Sequence, residues 1–136
     1  MKIGIMGGTF NPIHNAHLLI AEMAREEYGL DRVIFITDGN PPHKSANVTA
    51  KQRFEMTHIA IADNSAFEED DFEINRSEKS YTVNTLGYLK EKYPNNDLFF
   101  IIGEDSLNDF DKWYKPDKIL EMCSLLVFPR KSLKSL

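Results

Sequence analysis

The chain has 136 residues, 42% hydrophobic and 27% charged, with a formal net charge of −5. That length supports one domain with its own core, in the composition range of ordinary globular chains. No long basic block accompanies the acidic balance, which disfavours nucleic acid as a partner. No apolar run approaches the roughly 20 residues of a membrane span or forms a signal h-region. The single cysteine excludes an internal disulfide. Cys123, in EMCSLLVF, reads as a small buried hydrophobe, and a soluble, cytoplasmic chain is expected.

The first element is a strand, KIGIM (2–6), followed at once by the loop GGTFNPIHNAH (7–17). AHLLIAEMAREEYG (16–29) is a helical pattern with Leu19, Ile20, Met23 and Ala24 on one stripe and Gly29 as its stop. RVIFIT (32–37) is a second strand, and TDGNPPHKS (37–45) forms its tip. TAKQRFEMTHIAIAD (49–63) starts on a Thr cap and sets Phe54, Ile59 and Ile61 at near-helical spacing. The acidic run EEDD (68–71) reads as a solvated loop, and the alternating DFEIN (71–75) as a weaker, more exposed strand. TVNTLGYLKEKYP (82–94) is a helix with a proline stop. DLFFIIG (97–103) and SLLVF (124–128) are further strands, separated by the tip GEDSLNDFDKWY (103–114) and by a helix over 115–123 that opens near a proline. The main strands are continuous apolar runs, the mark of strands covered on both faces. Strand alternating with helix predicts a single α/β domain with a doubly wound parallel sheet.

In such sheets ligands bind outside the carboxyl ends of the strands. Three of the four histidines lie in the first two tips, while Trp113 and Tyr114 lie in the third. The glycine loop lacks both the G-x-G-x-x-G spacing and a Walker Gly-Lys-Ser/Thr. Gly7 and Gly8 nevertheless let backbone N–H groups approach an anion, next to the N-terminus of the coming helix. His14 and His17 stand three apart at the mouth of that helix. They suit a cap plus a packed ring, a metal pair, or a phosphate site. No neighbouring Cys or carboxylate favours the metal pair. The second cationic tip, His43-Lys44, favours phosphate, and no group resembles a covalent nucleophile. Such a site suits phosphoryl or nucleotidyl transfer run on positioning and charge stabilisation.

GGTFNPIHNAH resembles the G-[GS]-[TS]-F-[DN]-P-x-[HT]-x-G-H signature of the nucleotidylyltransferase superfamily. NPPHKS resembles the P-P-H-K element of bacterial nicotinate-mononucleotide adenylyltransferases, and SYTVNTL (80–86), FFIIGED (99–105) and KWYK (112–115) follow that subfamily in order and spacing. The resemblance spans essentially the whole chain. It implies a Rossmann-like fold and a reaction of ATP with nicotinate mononucleotide, giving deamido-NAD and pyrophosphate by in-line attack on the α-phosphate. It further implies that Gly7, Gly8, Thr9 and Phe10 supply backbone to phosphates and nucleotide. His14 and His17 would contact ATP phosphates, with His17 stabilising charge at the α-phosphate, and His43 and Lys44 would border that site. Gly103 and Asp105 would meet the adenosine ribose. Thr82, Trp113 and Tyr114 would hold the nicotinate end, with Trp113 stacked on the pyridine ring. Mg²⁺ would be carried by the phosphates, without a protein ligand set. The residues alone also fit plainer roles: Trp113 a core anchor, Lys44 a solvated lysine, Asp105 a turn cap and Thr82 the N-cap of its helix.

Ala16 stands where the signature has glycine, Glu104 replaces a small residue between Gly103 and Asp105, and Asn11 for Asp falls within the superfamily's variation. After Arg130 the sequence RKSLKSL replaces the family's R-P-G, and no [IV]-S-[SA]-T-x-[IV]-R motif follows. The expectation from this departure is a C-terminally truncated form, feeble or inactive in transfer, whose last strand is an edge that favours self-association. An inactive nucleotide-binding module of the same fold and a transferase acting on pantetheine phosphate are the alternatives. The PPHK, SYT and KWY elements argue against the latter.

Overall fold

The computed structural model describes residues 1–10, 12–39, 49–76 and 80–129. Strands β1 (Lys2–Gly8), β2 (Arg32–Thr37), β3 (Phe67–Asp70), β4 (Asp97–Gly103) and β5 (Ser124–Phe128) form one parallel sheet in the order β3-β2-β1-β4-β5. Helices α1 (Asn15–Tyr28), α2 (Ala50–Ile61), α3 (Thr82–Lys92), α4 (Glu104–Asn108) and α5 (Pro116–Met122) supply the other layers, with one 3₁₀ turn at Phe110–Lys112.

The continuous apolar runs have a direct cause. Successive strand residues point to opposite faces. Ile3, Ile5, Ile34, Ile36, Leu98, Phe100 and Ile102 pack with Val83, Leu86 and Leu89 of α3 and Ile119 of α5. Their neighbours Met6, Val33, Phe35, Ile101 and Leu126 pack with Ala21 and Ala24 of α1 and Ile61 of α2. A residue of either parity therefore meets a core, as a doubly wound sheet requires.

Local signals set the helix ends. Gly29 caps α1 at φ 64°, in the left-handed region. The Thr49 side chain accepts from the Gln52 amide, and Gln52 bonds back to the Thr49 amide. Pro116 occupies the first turn of α5.

Several expectations are corrected. The third strand is Phe67–Asp70, not 71–75, and the EEDD run is mostly that strand rather than a solvated loop. Its carboxylates are tolerated because each finds a partner: Glu68 with Arg32 at 3.0 Å, Glu69 with His58 at 2.6 Å, and Asp70 with Lys92 at 2.9 Å. Asp70 also accepts from the Tyr88 hydroxyl and the Phe72 amide. On α1 the fully buried residues are the small Ala21 and Ala24, while Leu19 is exposed. On α2 the buried row is Arg53, Thr57 and Ile61, four apart, and Ile59 is 74% exposed. Thr57 tolerates burial because its hydroxyl donates to the Arg53 carbonyl at 3.0 Å. The 103–114 tip is largely helical. Cys123 is partly buried against the α3 face, as expected, and burial pushes its thiol up to about 11. Among the described residues no helix is long and apolar enough to cross a membrane.

Asp70 is 4% exposed and ties β3 to α3. Asp70→Asn removes the charge from three hydrogen bonds and should lower unfolding free energy by about 2 kcal/mol. Urea denaturation checks this; an unchanged midpoint would contradict the assigned tie.

Candidate functional site

The chain passes from β1 to β2 on one side and, later, to β4 on the other. The connections therefore diverge at the carboxyl end of β1, where Gly7 and Gly8 lie. Two cavities open there. The first, about 250 Å³, is bounded by Gly7, Gly8 and Thr9, by the ends of β1 and β2, and by Thr82, Thr85 and Leu86 of α3. The second, about 260 Å³, lies against His17 and Ile20 of α1, Gly103 and Phe128. Gly7, Phe100 and Trp113 line both.

The two glycines differ in what requires them. A Cβ on Gly8 would strike the Phe10 ring at 2.9 Å, so packing alone excludes a side chain. A Cβ on Gly7 would meet nothing nearer than 3.9 Å, and one on Gly103 nothing within 4 Å. At those two positions the protein's own packing does not demand glycine, and the space opens into the cavities.

Phe10 itself is 2% exposed, with φ 48°. Its ring packs edge-on against His17 and tilts against Phe35, and it belongs to the core rather than to either cavity. Only its backbone can serve a ligand. Behind this turn lies Arg53, 2% exposed, whose Nη1 donates to the Thr9 carbonyl at 2.6 Å. Burial lowers the Arg53 pKa, and the nearby Asp38 carboxylate offsets this only in part. The Asp38 amide in turn donates to the Gly8 carbonyl at 2.9 Å. The turn is thus held from behind through its carbonyls.

His14 is the N-cap residue of α1, and its amide donates to Nδ1 of His17 at 3.2 Å. That bond assigns the lone pair to Nδ1, so neutral His17 carries its proton on Nε2. Burial, followed by repulsion from the adjacent His14 ring, lowers the His17 pKa to about 4. The side chain is therefore a neutral N–H donor near pH 7 in the ligand-free protein.

Trp113 packs against Phe110 at 5.0 Å and Phe100 at 6.0 Å between ring centroids, so it is an anchor as well as a wall. Thr82 is the first residue of α3, with Tyr81 at the N-cap, and it faces the first cavity rather than capping the helix. Tyr114 lies outside both cavities: it is exposed, pairs with Tyr81, and borders a smaller recess with Thr82 and Trp113. His14 and Asp105 are exposed and line neither cavity. His43 and Lys44 lie outside the described residues. Sequence reasoning missed Arg53, Asp38, Glu73, Ser80 and Thr85. Among the described residues no group of three or more His, Cys, Asp or Glu side chains could hold a metal ion.

A five-stranded parallel sheet with two cavities beside a glycine turn at its switch point defines a doubly wound α/β domain of the Rossmann-like class. The family model described as cytidylyltransferase-like matches residues 5–135, and the chain belongs to that family. It is 49% identical over 132 residues to a protein of Citrifermentans bemidjiense named "Probable nicotinate-nucleotide adenylyltransferase". It is 51% identical over 132 residues to one of the same name from Pelobacter propionicus. Each alignment covers 96% of this chain and 61% of the relative, so the chain spans about three fifths of their length. The solved Plasmodium falciparum nicotinic acid mononucleotide adenylyltransferase complexed with NaAD superposes with a TM-score of 0.80 at 23% identity. That match covers 98% of this chain and 70% of the other, and it establishes likeness of fold.

His17 yields a pH prediction. Its folded pKa of about 4 lies below the ordinary 6.5, so the unfolded state binds more protons between those values. Its contribution to stability is complete above about pH 6.5 and is lost as pH falls through 4. An anion docked on Nε2 should raise that pKa. NMR titration of the imidazole with and without pyrophosphate checks both; a free-state pKa near 6.5 would contradict the burial argument.

Proposed function

We propose that this chain belongs to an adenylyltransferase of pyridine-nucleotide synthesis, transferring AMP from ATP to nicotinate mononucleotide. The observation that carries this reading is the pair of cavities meeting at Gly7, one with an indole wall and one beside a histidine donor. The names of the relatives point the same way.

In this reading the mononucleotide occupies the first cavity, its ring against Trp113 and Thr82, and ATP occupies the second, its adenosine towards Gly103 and Asp105. Backbone N–H groups of residues 7–10 serve the phosphates. An oxygen of the mononucleotide phosphate forms the new bond to the α-phosphorus, the α–β bridging bond breaks, and pyrophosphate leaves with the electron pair. The attacking phosphate is already ionised, so no base is needed. Positioning and charge stabilisation are the whole task. His17 donates from Nε2 as charge builds on the α-phosphate, while His14, through its amide, fixes that tautomer. Mg²⁺ would be carried by the ATP phosphates and would offset their charge. His43 and Lys44 join the phosphate end, and Tyr114 supports Trp113 from outside.

Pyrophosphate release by the 136-residue chain with ATP and nicotinate mononucleotide, against the amide and phosphopantetheine, tests the assignment. Whatever release the chain supports, however feeble, is expected with ATP and nicotinate mononucleotide and not with the other two acceptors. Binding without release would instead identify a nucleotide-binding module of the same fold. His17→Ala should lower turnover by at least 100-fold with little change in folding, the usual scale for a lost charge-stabilising donor. Trp113→Ala should raise KM for the mononucleotide more than for ATP; equal rises would mark it as packing only.

A further inference from the structure

The first cavity holds an acid that the transfer chemistry does not use. Glu73, from the turn after β3, lines it together with Thr85 of α3, whose hydroxyl donates to Glu73 Oε2 at 2.6 Å. The carboxylate is fixed from both ends. A Cβ at Gly39 would sit 2.2 Å from the Glu73 carbonyl oxygen, so the segment just after β2 runs directly against that peptide. Asp38 lines the same cavity. Burial, more than any other influence, raises the Glu73 pKa.

An acid here matches neither end of an anionic nucleotide. Ile5, Ile36, Leu86, Phe100 and Trp113 accept a flat ring, and the glycine turn accepts phosphate. A carboxylate is an acceptor with about four lone-pair sites, of which Thr85 fills one. The nearby Arg76 already offsets part of its charge, so the sites left over suit a neutral donor. A second polar group lines the cavity: Ser80 Oγ is buried with no hydrogen-bond partner among the described residues. A carboxylate with acceptor sites left beyond the one Thr85 fills, and a buried hydroxyl beside it in the same cavity, together suit a sugar hydroxyl, which both donates and accepts.

We propose that Glu73, oriented by Thr85, accepts a hydrogen bond from a ribose hydroxyl of the mononucleotide and makes the site selective for ribose over deoxyribose. This rests on the substrate assignment above. A site built around a substrate hydroxyl penalises the analogue lacking it, because its own polar group is left unpaired.

Trp113 is the sole tryptophan and lines the cavity, so its fluorescence reports binding without turnover. The titration uses nicotinate mononucleotide and its 2′-deoxy and 3′-deoxy counterparts, on wild type, Glu73→Gln and Thr85→Val. Wild type should favour ribose at least tenfold over one of the deoxy sugars. Glu73→Gln should bring that ratio within about twofold, and Thr85→Val should reduce it partway. Because the measure is a ratio within each variant, a general loss of folding does not imitate it. An unchanged ratio in Glu73→Gln overturns the proposal. So does equal weakening of all three ligands, which would mean attraction for the pyridinium charge or plain packing. A wild type indifferent to the missing hydroxyl does the same. If wild type binds none of the three, the substrate assignment falls as well, and that outcome involves no variant.

Discussion

Everything in this molecule depends on β1 lying in the middle of a parallel sheet, with its two crossover directions diverging at its carboxyl end. Parallel strands need helical crossovers, and crossovers of one hand put helices on both faces when the order reverses. In the order β3-β2-β1-β4-β5 that reversal falls at β1, so α1 and α2 cover one face and α3 and α5 the other. No crossover closes the gap at the end of β1. The two cavities follow from this, one on each side of the strand end, and so does the burial that demands apolar residues of both parities.

Among the described residues, the donors at the glycine turn are oriented neutral groups, while the carboxylates Asp38 and Glu73 line the first cavity. The described residues around the glycine turn place no exposed cation on the cavities. Arg53 is buried behind the turn and acts on it through the Thr9 carbonyl. His17 is neutral, with its tautomer set by the His14 amide. For the proposed transfer this has a chemical logic. A donor that strengthens its bond as charge develops favours the transition state, whereas a fixed cation would hold substrate and pyrophosphate about equally well.

The alternation of strand and helix, the caps at Thr49 and Gly29, and the glycine turn with its histidines were legible because each is a local signal. Continuous Ile, Val and Phe runs reveal two-sided burial without any knowledge of what covers them. The failures have a common origin in long-range pairing. Residues 68–70 form a strand because Arg32, Lys92 and Tyr88, distant in sequence, satisfy their carboxylates. Arg53 occupies a buried helix row because the Thr9 carbonyl waits for it, 44 residues away. Ile59, by contrast, has the right hydrophobicity and faces outward. Glu73 carries no local mark at all. Its place in the cavity is set by Gly39 pressing on its backbone and Thr85 holding its side chain.

Trp113 shows how the cavities are joined. Its indole is fixed by Phe110, the first residue of the 3₁₀ turn, and by Phe100 of β4, and it is a wall of both spaces. A ring stacked on one face of the indole constrains what the other cavity can accept, since Trp113 has little freedom to move without disturbing β4. Gly7, the other shared element near the strand end, has no side chain to separate the cavities. One boundary is therefore rigid and aromatic and the other is bare backbone. Two nucleotides on either side of this boundary can bring their phosphates together only at the backbone end. In the proposed reading this arrangement would keep the bases apart and leave the phosphates to meet beside Gly7, within the reach of the glycine turn.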